Sequence, residues 1–236
     1  MENILLPTKV SVEEGATPRE AQLVVEPCFH GYGTTAGNAL RRVLLSSLVG
    51  AAVTAVKIKG VTHEFQAIPG VKEDVLQIIL NLKQLRVRLH TDEPVKLMLR
   101  ATGEGEVTGA SIEPNAEVEV VNPAHVLCTM TEAKAGLEME ITVEKGRGFR
   151  PTEKVRKGGE DLGTIAVDAL FSPVRNVSYR VEATRVGEIT DYDKLIMTIE
   201  TDGTISPKDA VRDSTKILMD YFTTVSNGLG ETEATS

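Results

Sequence analysis

Only two cysteines occur in the 236 residues, Cys28 and Cys128, 100 positions apart and without any Cys-x-x-Cys pair. This argues against a disulfide framework or a structural zinc site, and reduced thiols in a cytoplasm are the expectation. Long apolar runs are missing too, since none approaches the roughly 20 residues that a membrane-crossing helix needs. The start, MENILLPTKV, lacks the charged and apolar regions of a secretory signal, so the chain is expected to stay where it is made. Positive charge is in deficit: 26 Lys and Arg stand against 34 Asp and Glu, a formal net charge of -8. Such a balance argues against a broad electrostatic grip on DNA or RNA. What is present is the composition of a soluble globular chain, 41% hydrophobic and 25% charged, with room for one large or two modest domains.

Catalytic constellations are also scarce. His63, His90 and His125 stand alone, with no i, i+4 histidine or Cys/His spacing to hold zinc. His30 follows Cys28 by two residues, which leaves a thiol activated by imidazole as one candidate and two unconnected strand residues as the other. The turn GYGTTAGN, residues 31–38, precedes a helix and offers free amides to an anion, but it lacks the Gly-Lys-Ser/Thr ending of a P-loop. Glycine for close packing is the alternative. The run Lys145, Gly146, Arg147, Gly148, Phe149, Arg150 interleaves bases with an aromatic, which suits a phosphate contact, a loop docked on an acidic protein surface, or simple solvation. No Asp-x-Asp-x-Asp cluster of the kind that holds catalytic magnesium is present, so polymerisation chemistry is not expected on this chain.

Periodicity predicts an α+β chain of many strands and three helices. AQLVVEP, VTAVKIKG, VKLMLR, AEVEVV and LEMEITVEK alternate as half-buried strands do, the last setting Leu137, Met139, Ile141 and Val143 on one face. The first helix, within His30 to Gly50, puts Ala36, Ala39, Leu40, Val43, Leu44, Ser47 and Leu48 on one broad arc, with Thr34 or Thr35 as its cap. Opposite that arc lie Leu45 and Val49 among Asn38, Arg41 and Arg42, so two apolar faces and two packing partners are expected. The second helix, about Val71 to Leu85, builds a core face from Val71, Val75, Ile78, Ile79, Leu82 and Leu85, while Leu76, Leu80 and Lys83 fall outside it. That outlying trio is either local packing or a second partner surface. The third helix opens at Ser206-Pro207, with Ser206 as N-cap and Asp209 completing a capping-box-like arrangement, and is expected to stop near Ser226-Asn227-Gly228. Its stripe of Ala210, Val211, Ser214, Ile217, Leu218, Tyr221, Phe222 and Val225 must cover something.

The run GYGTTAGNALRRVLLSSL resembles the first helix of the amino-terminal domain of the bacterial RNA polymerase alpha subunit. The resemblance continues in order through GVTHEF near 60, GVKEDVLQIILNLKQL at 70–85, VEKGRGFRP at 143–151, VDALFSPVRNVSYRVEATRV at 167–186, DYDKLIMTIETDGTISPKDAV at 191–211 and the last helix. Thr34 and Ala36 depart from the histidine and leucine that such sequences commonly carry in this turn. The family implies a discontinuous dimerisation domain, an antiparallel sheet with two helices built from 1–50 and 172–228. It also implies a mostly-β domain inserted at 51–171 and a tail or linker start at 229–236. Alpha subunits usually continue into a further domain that contacts promoter DNA and activators, and the resemblance leads us to expect that part to be missing here.

Functionally, the resemblance implies a non-catalytic assembly scaffold within a nucleotidyltransferase complex, the DNA-directed RNA polymerase, located in the cytoplasm and on the nucleoid through the polymerase. It implies a homodimer held by the first and last helices, through Leu40, Val43, Leu44, Leu218, Tyr221 and Phe222. Arg42 and Leu45 would contact the beta subunit, Lys83 and Val167 the beta-prime subunit, and Arg185 would serve assembly. No cofactor is expected on this chain, with catalytic magnesium expected in beta-prime, and neither strong direct nucleic-acid binding nor a membrane partner. Two other classes remain open at this stage: a thiol enzyme using Cys28 and His30, and a stand-alone dimeric interaction module.

Overall fold

The computed structural model describes residues 4–152, 163–187 and 189–230. Most of the RKGGEDLG turn and all of Glu231 to Ser236 lie outside them. In chain order the elements begin with β1 (Lys9–Glu14), β2 (Glu20–Cys28), α1 (Tyr32–Ser46) and β3 (Val49–Ile58). There follow α2 (Val75–Leu82), β4 (Val87–Leu89), β5 (Val95–Thr102), β6 (Gly105–Thr108), a 3-10 turn at Gly109–Ser111, β7 (Val118–Val120) and β8 (Val126–Met130). The remainder is β9 (Gly136–Arg147), β10 (Phe149–Arg150), β11 (Thr164–Ala166), β12 (Ala169–Leu170), β13 (Val174–Val186), β14 (Ile189–Thr201) and α3 (Pro207–Gly230). The fold is α+β, and every strand ladder between these elements is antiparallel.

Two compact units divide the chain, one of residues 1–48 with 173–236 and one of residues 49–172. Val49 and Gly50 thus belong to the second unit, where they open β3. The expected place of Val49 on the outer side of the first helix is overturned for the same reason: α1 ends at Ser46, before it.

In the first unit the sheet runs β1-β2-β14-β13. Alternation along β2 directs Leu23 inward, opposite Met197 of β14, with Ala21 opposite Ile199. The helix α1 lies on this sheet through Gly33, Gly37 and Leu44. A Cβ on Gly37 would stand 2.8 Å from the Tyr179 ring and 3.0 Å from Leu195 Cδ1, so only glycine lets the helix come this close. The helix starts one turn earlier than the threonines suggested. Gly31, in the left-handed region at φ 79°, takes the N-cap position without a side-chain cap, and Thr35 Oγ1 donates back to the Gly31 carbonyl at 3.2 Å.

The third helix begins as its sequence indicates, the Ser206 hydroxyl accepting from the Asp209 amide at 3.1 Å and donating to its carboxylate at 2.7 Å. It does not stop near Ser226-Asn227-Gly228 but runs to Gly230. Asn227 and Gly228 are weak helix formers, but unlike proline neither breaks a helix outright, so the helix continues past them. The stripe on α3 is one face with two fates. Ala210 and Ser214 are sealed and Val211 and Ile217 pack on the core of their own unit, whereas Tyr221 and Phe222 are 71% and 64% exposed and Val225 and Leu229 are also open to solvent.

The second unit is built on the sheet β11-β3-β9-β5, with the two-stranded ribbons β4-β7, β6-β8 and β10-β12 around it. Leu137, Met139, Ile141 and Val143 of β9 all face the core, as alternation requires. The helix α2 is shorter than its apolar spacing suggests. Asp74 caps it by accepting from the Gln77 amide at 2.7 Å, so Val71 precedes the helix, in a turn and bridge rather than on its core face. Val75, Ile78, Ile79 and Leu82 are buried against the sheet.

Candidate functional site

The second unit carries a cleft of about 380 Å³. One wall is the outer side of α2, contributing Leu76, Ile79, Leu80 and Lys83, and the other is the strand segment 164–168. Leu76 and Leu80 are 41% and 43% exposed, large apolar side chains that the unit itself leaves half uncovered. Across the cleft the Lys83 ammonium lies 3.4 Å from Asp168 Oδ2, and Asp168 Oδ1 accepts from the Thr152 amide at 2.9 Å. That backbone hydrogen bond holds the Asp168 carboxyl below the ordinary aspartate range, against the opposing pull of desolvation, and Lys83 adds to it. Each side chain of the pair is about one-third exposed, so the ion pair orients more than it stabilises.

Lys83 and Val167, 84 positions apart in sequence, therefore border the same cleft. Their roles in it differ from the expectation. Val167 is 1% exposed and sits in the core, its amide donating to the Thr54 carbonyl at 2.8 Å. Strand alternation explains this: Ile165 and Val167 point inward, so residue 168 is the one presented outward. Val167 is a structural wall and Asp168 the exposed group, which the sequence reading passed over although it stands inside the quoted segment VDALFSP.

In the first unit Arg42 is exposed on α1, while Arg41 is tied down, its Nε donating to the Val177 carbonyl at 3.0 Å. Leu45 is not turned outward as expected; it is half-buried and packs on the core cluster together with Leu40. The arc and its opposite side are not separate, because α1 settles on the sheet through its glycines and is rotated so that both edges of the helix touch the core. Leu44 is fully buried within its own unit and is removed from any surface for a partner. Val43 and Leu218 are half-buried, and Tyr221 and Phe222 exposed. Arg185 is exposed at the β13–β14 hairpin, its Nε donating to the Gly187 carbonyl at 2.6 Å.

Of the two readings of GYGTTAGN, close packing is the one seen, at Gly33 and Gly37, and Gly33 N–H donates within the chain to Asp193 Oδ2 at 3.0 Å. The thiol reading fails on geometry. Cys28 is buried, its Sγ directed to the Val25 carbonyl at 3.6 Å, and burial raises its pKa, while His30 Nδ1 lies 3.3 Å from the Asp191 carbonyl. Cys128 is also buried, its thiol pushed up to about 12 by desolvation and then by Glu73. Iodoacetamide at neutral pH is accordingly expected to label both cysteines of the folded chain far more slowly than those of the urea-unfolded chain. Fast labelling of Cys28 in the folded state, followed by mass spectrometry, would reinstate the thiol reading. Among the described residues no group of three His, Cys, Asp or Glu is placed to hold a metal ion, and no helix is long and apolar enough to cross a membrane.

Such a surface offers shape, apolar area and one oriented ion pair, which are means by which proteins recognise partners. In comparison with known proteins, residues 56–172 match the family of the RNA polymerase Rpb3/RpoA insert domain. The match spans nearly all of the second unit, cleft included, and supports an RNA polymerase subunit of the alpha or Rpb3 type.

Proposed function

We propose that this chain is the alpha subunit of a bacterial DNA-directed RNA polymerase, acting in the cytoplasm as a homodimeric scaffold that docks the beta and beta-prime subunits and performs no catalysis itself. The observation that carries the reading is the insert-domain match at 56–172, nested between two chain segments that fold into a single unit. A domain inserted in this way is what the resemblance along the whole sequence implies. The dimer is supported by the α3 stripe, whose second half, Leu218 to Leu229, leaves apolar side chains uncovered over roughly 17 Å at 1.5 Å per residue. A second α3 packed on it in an isologous contact removes that surface from water.

Docking of the large subunits is assigned to two places. Arg42, exposed on α1, is the beta contact, its guanidinium suited to a bidentate carboxylate contact, and the half-buried Leu45 acts through the position of the helix. Lys83, Asp168 and the Leu76/Leu80 pair make the beta-prime contact, with Val167 as its supporting wall. Arg185 serves assembly from the hairpin. Light scattering on the purified chain is expected to give about twice 25.5 kDa, rising by one beta chain when beta is added. A monomer that ignores beta would remove the proposal.

A further inference from the structure

The edge of a sheet is a row of backbone donors and acceptors that must be covered, wetted or paired with another strand. The sheet β11-β3-β9-β5 of the second unit treats its two edges differently. Along β5 the chain covers the edge itself: Leu99 bridges to Ile112, and the Glu113 amide donates to the Met98 carbonyl at 2.8 Å. Along β11 one side is taken by β3, where Thr164, Ile165 and Ala166 stand opposite Lys57, Val56 and Ala55. Among the described residues no strand pairs with the other side.

That open edge is a wall of the cleft at α2. Residues 164–168 line it, all five in succession. Because the side chains of a strand alternate, a cleft lying against a strand face meets every second residue, whereas an unbroken run belongs to a cleft that follows the backbone edge. The opposite wall is one stripe of α2, Leu76, Ile79, Leu80 and Lys83 at i, i+3, i+4 and i+7. Leu76 and Leu80 stay exposed there because the sheet has run out of strands beside them. One further strand satisfies both walls: its backbone pairs with β11, and its alternate side chains cover the two leucines. Five residues of edge give it a length of roughly 16 Å. Charge does not choose the occupant. Lys83 and Asp168 answer each other across the cleft, and the adjoining residues 153–162, outside the described ones, carry three acids and three bases. A second copy of the chain is already assigned to the α3 stripe, and joining β11 edges as well would link dimers into larger arrays.

We infer that this cleft is a strand-addition site, whose occupant is an extended segment of the beta-prime subunit with apolar residues at alternate positions, laid along β11 as a fifth strand. The inference rests on the reading of the cleft as the beta-prime contact and adds how that contact is made. Its test is hydrogen exchange, read by mass spectrometry over a peptide spanning 163–168, in the full chain alone, with purified beta, and with beta and beta-prime together. Amides of this peptide are expected to slow at least roughly tenfold on addition of beta-prime and not before. Leu76→Ser/Leu80→Ser, at exposed positions, is expected to melt as the wild type does, to bind beta unchanged and to bind beta-prime roughly tenfold more weakly. If beta-prime binds and the double variant is weakened, but the 163–168 amides exchange as before, the added strand is overturned and the cleft remains the beta-prime contact. If beta-prime binds the double variant as tightly as the wild type, the cleft assignment falls and the inference with it. If the wild type binds neither subunit, the scaffold reading falls as well. Slow exchange already in the dilute free chain would give the edge to the chain's own residues, slowing that grows with concentration to a second copy, and slowing with beta alone to beta. Each of these overturns the inference.

Discussion

Replacing Phe222 by glutamate is expected to convert the proposed homodimer into a monomer of about 25.5 kDa, read directly by light scattering. The side chain is 64% exposed in the single chain, so the variant loses no packing of its own unit and its melting as a monomer is expected to stay within the small range of surface substitutions. In the proposed dimer the same position lies in the middle of the uncovered half of α3, between Leu218 and Leu229. A carboxylate there is buried without a partner, which costs on the order of 3 to 5 kcal/mol, or at least roughly a hundredfold in the dimer dissociation constant. Tyr221→Glu, at 71% exposure on the same stripe, is expected to act in the same direction. A Phe222→Glu chain that still runs at twice the monomer mass would mean that the second half of α3 is not the dimer face.

Leu44→Ala is expected to do the opposite: to lower stability by about 2 to 5 kcal/mol while leaving the mass of the dimer unchanged. Leu44 is wholly buried beneath α1, in the cluster with Leu23, Met197, Ile199 and Ala210, and truncating it leaves a void that the sheet closes only in part. Against a total of about 5 to 15 kcal/mol for a typical domain this is a large fraction, visible as a lower urea midpoint at unchanged slope. Dissociation without a shift of the midpoint would return Leu44 to the interface from which its burial removed it. The two variants thus separate core from contact on a helix pair that looks uniform in sequence.

The five strands read from alternation were legible because their signal is local, whereas the long β13 and β14 were not among them. Leu137, Met139, Ile141 and Val143 alternate with polar residues, and a period of two places them on one face whatever the rest of the chain does. The start of α3 was equally local, since Ser206, Pro207 and Asp209 carry the cap among themselves. The start of α1 was not, because Gly31 has no side chain to announce it and its left-handed backbone is fixed by the turn out of β2. Nor was the place of Val167, read as a contact or a core aliphatic, whose side chain is buried while its neighbour Asp168 stays partly exposed.

Sequence by itself determined the α+β class, the small and apolar faces of the helices, and the lysine and leucines that border the cleft. Only the tertiary structure decided which apolar residues are spent inside the chain and which remain for others. Leu44 and Phe222 both lie on apolar stripes, yet one is sealed under a helix that glycine brings against the sheet, and the other stays exposed on the second half of α3. Hydrophobicity is a property of the residue, whereas its exposure depends on where the neighbouring elements end, and that is set by contacts far apart in the chain.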